Sequence, residues 1–331
     1  MDAKHKEDWS FVTLFDGAGG ARRQKAGGHD FGPDDIAPKE VVWAHLQRDS
    51  ASAQRWLTRE KGIPALVREA LTVEETRPRC TQLEGGLLLI LRGVNLNPEA
   101  DPEDMVSIRI WTDGRRIVSV WLRRLLAVGD IYESLEQGRG PKNVGEFLAL
   151  LSDRLVSRME PVIAEIDDRI DELEDEVLEN SDPALRERLA TVRRQAILLR
   201  RYFAPQREAL QRLASDPDMA PWLEARDRHQ LREVADRITR YVEDLDAGRE
   251  RASVVHDQLA NHLSDELNRG MYILSIIAAV FLPLSFLTGL LGINVGGIPG
   301  ADTPWAFAAV CVILAFLAAV EFWLLRRLKW I

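Results

Sequence analysis

The chain is 331 residues long, with 46% hydrophobic and 29% charged residues and a formal net charge of −9 at pH 7. These averages hide an uneven distribution, because residues 271–325 carry only two formal charges, Asp302 and Glu321. A single stretch of this kind excludes a purely soluble protein and also a carrier with many membrane spans. The acidic balance disfavours nucleic acid as a partner, and two cysteines are too few for a disulfide framework.

The pattern of residues 1–142 predicts a cytoplasmic α/β domain. Short runs rich in β-branched and aromatic residues predict strands at 41–46, 87–94, 106–111 and 117–122. A turn around Asp113 and Gly114 joins the last two strands. Helical patterns occupy 52–61, 64–71 and 125–137. The glycine-rich segment 16–33 predicts poor order.

Residues 143–221 predict a long antiparallel pair of helices. Apolar residues recur every three or four positions from Leu151 to Val177, and nine acids lie on the other faces between residues 165 and 179. Pro161 predicts a kink in the first helix, and Asp182 is the expected N-cap of the second. The acidic run has two open interpretations, a solvated coiled-coil face and a surface that attracts cations.

Residues 222–291 predict a stalk helix that continues into a first membrane span. Unbroken, its 70 residues would measure about 105 Å, with Gly248 and Gly270 as the weak points. The spans themselves are 271–291 and 305–325, each about 31 Å long as a helix. Residues 292–304 form the external loop and 326–331 a basic tail, so the distribution of positive charge predicts that both termini are cytoplasmic.

One face of the first span carries small or polar side chains at steps of three or four residues. We call this face the stripe; it consists of Asn268, Met271, Ser275, Ala278, Leu282, Ser285, Gly289 and Gly292. Two spans cannot enclose a pore by themselves. The stripe therefore predicts either the wall of a pore in a ring of copies or a seam of small residues that packs against another helix.

The end of the first span carries a short motif, Gly292-Ile293-Asn294. Its place in a C-terminal two-span hairpin, after an acidic helical region, resembles the CorA superfamily of divalent-cation transporters. The main signature of that superfamily has Met at the position of Ile293. The Gly-Ile-Asn form, together with residues 91–111, is similar to the ZntB zinc-transporter branch.

The resemblance implies an α+β membrane protein that forms a funnel-shaped homopentamer in a bacterial inner membrane. Five first spans would line a central pore with a ring of Asn294 side chains at its external mouth. Aligned on Asn294, the family's pore positions fall on Asn268, Met271, Leu274, Ala278, Leu282, Ser285, Gly289 and Gly292.

The activity that the resemblance implies is proton-coupled zinc uptake. The alternative within transport is a magnesium or cobalt channel of the CorA type, and the alternative of another class is a membrane-anchored coiled-coil scaffold. The sequence contains no P-loop or nucleophile elbow, so no enzyme is predicted. No cofactor is expected beyond the transported cation, with protons as the implied coupling ion.

Five residues outside the stripe are candidate cation ligands, namely Asp257, His256, His262, Glu266 and Asp302. His262 and Glu266 are four residues apart and could hold zinc or form an ordinary surface pair. Asp257 matches a place where magnesium-selective relatives hold a regulatory ion, and Asp302 could collect cations or cap a turn. Glu321 has two interpretations as well, a snorkelling or Arg-paired acid and a proton relay.

Overall fold

The computed structural model describes residues 10–24, 40–60, 62–74, 77–180, 182–293 and 303–327. The chain divides into two compact units, Met1–His256 and Asp257–Ile331. One long helix contributes residues to both units.

The first unit contains a seven-stranded sheet. Its strands are β1 (Phe11–Phe15), β2 (Ala21–Gln24), β3 (Val41–Gln47), β4 (Arg79–Leu83), β5 (Gly86–Gly93), β6 (Val106–Thr112) and β7 (Arg116–Trp121). They lie in the order β2-β1-β3-β7-β6-β5-β4, and only the β3–β7 pair is parallel. The parallel pair needs a long crossover connection, which includes the helices between β3 and β4.

Helices cover both faces of the sheet. Helices α1 (Ala51–Arg59) and α2 (Ala65–Thr72) share one core with the sheet, in which Leu57 and Val67 pack with Trp111. On the opposite face, the ring of Trp43 in β3 lies 4.8 Å from that of Phe147 in α4 (Val144–Ser157), which follows α3 (Leu126–Glu136). Burial on both faces explains why the central strands read as nearly continuous apolar runs. The predicted N-terminal α/β domain is confirmed.

His45 is a buried polar residue within this sheet. Its Nδ1 lies 2.8 Å from the hydroxyl of Ser119, which also accepts a hydrogen bond from the Trp43 indole nitrogen. Burial lowers the pKa of His45 to about 3, so its ring is neutral at physiological pH. The group therefore has a structural role.

Three strands were absent from the sequence prediction. β1 and β2 form a hairpin whose turn includes Gly17 and Gly19, both with positive φ, so the predicted poor order is wrong for residues 16–24. Residues 25–33 lie outside the described part of the chain. β4 joins β5 through Glu84 and Gly85, which both adopt positive φ, as tight hairpin turns of this kind require.

The predicted helical pair is present with one correction. Helix α4 ends at Ser157, and α5 (Glu160–Glu179) begins anew with Pro161 in its first turn. The predicted kink is therefore a break, because proline lacks an N–H yet fits the first helical turn. Helix α6 (Ala184–Ser215) runs antiparallel to α5, with an Arg188–Glu176 hydrogen bond of 2.9 Å at one end of the pair.

The acidic run on α5 is partly engaged in ion pairs. Glu174 lies 2.9 Å from Arg251 of α7 (Ala225–Leu291), and Asp171 also contacts Arg251. Glu165 pairs with Arg169 on α5 itself. These acids join the helices to one another in addition to meeting solvent.

Helix α7 passes through both glycines without interruption. A Cβ at Gly248 would lie 3.1 Å from Cδ1 of Ile170, so glycine allows a close approach between α7 and α5 there. At the start of α7, the Arg228 guanidinium donates to the carbonyls of Leu213, Asp216 and Ala220. These bonds fix the turn between α6 and α7.

The second unit contains the C-terminal part of α7 and helix α8 (Ala306–Arg327). Both helices are long and apolar enough to cross a membrane, which confirms the two predicted C-terminal apolar helices. The predicted division of the chain at residues 142, 221, 291, 304 and 325 stays a prediction.

The packing of α5 against its neighbours generates a stability prediction. Ile170 is fully buried, and its truncation to alanine leaves a cavity, so Ile170→Ala should lower the free energy of unfolding by about 2–5 kcal/mol. Leu178 on the same helix is 67% exposed, and Leu178→Ala should change the free energy of unfolding by less than about 0.5 kcal/mol. Denaturant unfolding of the full chain in detergent measures both; equal losses would contradict the packing.

Candidate ion pathway on helix α7

The membrane part of α7 has one face that is less exposed than the rest. Its half-buried residues are Ile276, Val280, Pro283, Leu284 and Leu287. Helix α8 also has such a face, which includes Leu314, Leu317 and Ala318 and ends at the buried Leu325. Because α8 is the only other described element of this unit, we attribute the reduced exposure on both helices to packing between them.

The stripe lies on roughly the opposite side of α7 at the α-helical spacing of residues. All of its described members are exposed in the single chain: Asn268, Met271, Ser275, Ala278, Leu282, Ser285, Gly289 and Gly292. Leu274, which the family resemblance adds, is 67% exposed, and Leu282 is 69% exposed. The stripe is therefore not a seam between α7 and α8, and its surface is available to other copies or to an aqueous path.

The polar groups of the stripe are weakly coordinating. The hydroxyl of Ser275 donates back to the Met271 carbonyl at 2.8 Å, which leaves its oxygen lone pairs facing outward. Glycine and alanine add no side-chain ligands, and Leu282 and Met271 are apolar. A surface of this composition offers hydrogen bonds to water but no strong ligands that would replace the water of a cation.

The described part of the motif begins where α7 ends. The Gly292 amide donates to the carbonyl of Thr288 at 3.0 Å, and the helix terminates at Leu291. A Cβ at Gly292 would lie 3.1 Å from that same carbonyl oxygen, so a larger residue would need an adjustment of the turn. Ile293 is 48% exposed. Asn294, the residue on which the external ring depends, lies outside the described residues.

The four candidate metal ligands that the structure describes are not part of a cluster of three or more potential ligands. No group of three or more His, Cys, Asp or Glu side chains close enough to hold a metal occurs in the described ranges. His256 and His262 are half-buried, whereas Asp257 and Glu266 are exposed. Asp302 falls in the undescribed loop. Their role in cation binding stays a prediction.

One functional candidate in the first unit was not predicted from the sequence, the buried arginine Arg109 in β6. Only 1% of its surface is exposed, and its Nη2 donates to the carbonyls of Val73 and Glu74 at 2.8 and 3.1 Å. The signal was available, because a charged residue interrupts the apolar run Ile108–Trp111 of a strand buried on both faces.

A family model described as CorA-like Mg²⁺ transporter protein matches residues 38–327. The chain belongs to the CorA family. This CorA-family chain is 42% identical over 320 residues to the divalent cation transporter CmaX of Pseudomonas aeruginosa, covering 96% of the chain and 95% of CmaX. It is 38% identical over 308 residues to the zinc transport protein ZntB of Pectobacterium carotovorum, covering 93% of each.

The fold agrees with the family assignment. A solved structure of the full-length CmaX protein matches with a TM-score of 0.84 and 40% identity, covering 98% of this chain and all of that one. The predicted resemblance to the CorA superfamily is therefore confirmed. ZntB and CmaX are similarly close, so the branch within the CorA family is not decided by identity. These relatives are named as transporters and not as enzymes, and a CorA-family chain with two apolar helices is a membrane protein.

Proposed function

We propose that this CorA-family protein transports divalent cations, zinc foremost, through a pore formed by several copies of α7. The observation that carries the proposal is the exposed stripe on the side of α7 turned away from α8. A face of serine, glycine and asparagine finds no hydrogen-bond partners in lipid. If several copies of α7 surround a water-filled axis, water supplies those partners. Two helices cannot surround such an axis, so copies of the chain must complete it.

The number of copies in the proposed assembly is five, with α8 helices outside the α7 ring and both termini in the cytoplasm of a bacterial inner membrane. The support is the family resemblance together with the geometry of α7, which leaves one face for α8 and the opposite face for the axis. The Asn294 residues would form the external mouth. Their neutral carbonyl oxygens suit hydrogen bonds to the waters of a hydrated cation.

Zinc is the proposed substrate for two reasons. The Gly-Ile-Asn motif is similar to that of the ZntB zinc-transporter branch, and one relative is named as a zinc transport protein. The stripe has no His or Cys, the ligands that zinc prefers, so the ion would cross with water around it. Magnesium is the second candidate, since the family description names Mg²⁺. A pathway that binds hydrated ions discriminates between them weakly, which favours a broad cation range.

Proton coupling would need a titratable group within the membrane, and Glu321 on α8 is the candidate. It lies on the less exposed face of α8, and its Oε2 is buried with no hydrogen-bond partner in the part of the chain that the structure describes. Carboxyl groups within membrane spans are rare and are often part of proton pathways, so Glu321 is the residue to test.

Zinc flux tests the pathway. Full-length protein in liposomes should carry zinc inward, and Asn294→Ala should lower the flux by about tenfold, equivalent to about 1.4 kcal/mol of barrier. Thr288→Ala is the matched control, because this hydroxyl near the same helix end donates to the Leu284 carbonyl at 3.0 Å and lies off the stripe. Flux that Asn294→Ala leaves intact would contradict the Asn ring, and a monomer in mild detergent would contradict the shared pore.

A pH gradient tests the coupling. An acidic exterior should accelerate zinc uptake by the unmodified protein, whereas Glu321→Gln should retain zinc uptake and lose its dependence on the gradient. Gln keeps the size and polarity of the side chain and removes only the titration. Uptake by the unmodified protein that ignores the gradient would instead support a passive channel.

A further inference from the structure

The first unit contains an arginine-rich pocket that ion transport does not require. A pocket of about 450 Å³ opens beside the ends of β5 and β6, within the size range of small-ligand sites, about 300–1,000 Å³. Four arginines line it: Arg92 from β5, Arg109 from β6, Arg123 after β7 and Arg201 from α6. Four separate segments therefore bring the same cationic group to one place.

Among the described residues that line the pocket, the carboxylates are outnumbered by the arginines. Glu74, Glu103 and Asp104 also line it, one fewer than the arginines. Glu74 and Asp104 are exposed, so water screens their charges. None of the ion pairs among the described residues joins these acids to Arg109, Arg123 or Arg201.

Arg109 is a buried cation at the inner wall of the pocket, with donor atoms that are unpaired in the described part of the chain. It is 99% buried at the inner wall of the pocket, and its Nε and Nη1 atoms are buried without a partner among the described residues. Burial, followed by the charges of Arg48 and Arg92, lowers the pKa of Arg109 to about 10, so the group is still a cation at pH 7. A buried cation surrounded by other cations destabilises the unit unless an anion compensates it.

Arg92 and Arg201 lie beside the ring of Tyr202, where they can bind an anion. The Arg92 guanidinium lies 4.1 Å from the centroid of the Tyr202 ring and donates to the Met105 carbonyl at 2.7 Å, which fixes its position. The Arg201 guanidinium is 5.6 Å from the same ring. Arg123 and Arg201 line the pocket and are exposed, so a ligand from solvent can reach them. Guanidinium groups present planar pairs of donors that match the oxygens of phosphate.

We propose that this pocket binds the phosphate group of a small ligand, either free phosphate or a phosphate ester. The ligand would contact Arg92, Arg123 and Arg201, and the buried charge of Arg109 would add its field from behind. The site lies in the first unit and is separate from the α7 stripe. Its ligand is therefore an anion and not the transported cation.

The test is calorimetric titration of the full-length protein, in detergent and metal-free buffer at fixed ionic strength, with inorganic phosphate and with AMP. We expect at least one of the two probes to bind, and the one that binds more tightly identifies the source of the phosphate. Arg123→Gln combined with Arg201→Gln should weaken binding about tenfold or more. Arg186→Gln, an exposed arginine on the same α6, is the matched control and should leave the affinity unchanged.

Three outcomes would overturn the proposal. The first is no binding of either probe, and the second is equal weakening by Arg186→Gln, which would indicate unspecific attraction. The third involves Glu75, which follows Glu74 in the sequence and lies outside the described residues. Phosphate binding that appears only in Glu75→Gln would mean that the chain's own carboxylate fills the pocket. Arg109→Met should also weaken binding, and the exposed-arginine variants decide the matter if that variant does not fold.

Discussion

The architecture of this protein depends on the fact that hydrocarbon offers no hydrogen-bond partners. A helix can cross a bilayer because its backbone bonds are internal, but polar side chains on its surface must find another helix or water. In α7 one face is half-buried, which we attribute to packing with α8, and the opposite face is exposed and carries serine, glycine, alanine and asparagine. In a single copy that second face is exposed, and the proposed pore of several copies would supply its partners.

The first unit is stabilised by packing of apolar side chains and by ion pairs between its helices. Its sheet is buried between α1 and α2 on one face and aromatic contacts to α4 on the other. The α5, α6 and α7 helices are joined by buried aliphatic residues and by pairs such as Arg251–Glu174. Two acids of the acidic run on α5, Asp171 and Glu174, thus connect helices through Arg251, and whether the run attracts cations stays a prediction.

Most of the membrane part could be predicted from the sequence, because an uncharged run of membrane length is rare in a helix that does not cross a bilayer. The spacing of small and polar residues predicted the stripe, but it did not predict whether the stripe packs against another helix or stays exposed. That choice depends on which side of α7 packs against α8, and no local pattern contains it. The β1–β2 hairpin and β4 were missed because they are short and rich in glycine or polar residues, although the Glu84-Gly85 turn was a usable signal. The Arg109 pocket was beyond prediction, since its four arginines come from distant parts of the chain.

Thiol accessibility during transport tests most directly whether the stripe faces a water-filled path. In a Cys311→Ser background, Ala278→Cys places a thiol on the stripe and Val280→Cys places one on the side that packs with α8. The other native cysteine, Cys80, is buried. A water-soluble, charged thiol reagent should block zinc flux through Ala278→Cys and leave Val280→Cys unaffected. Block of both variants alike, or of Val280→Cys alone, would contradict a water-filled path along the stripe.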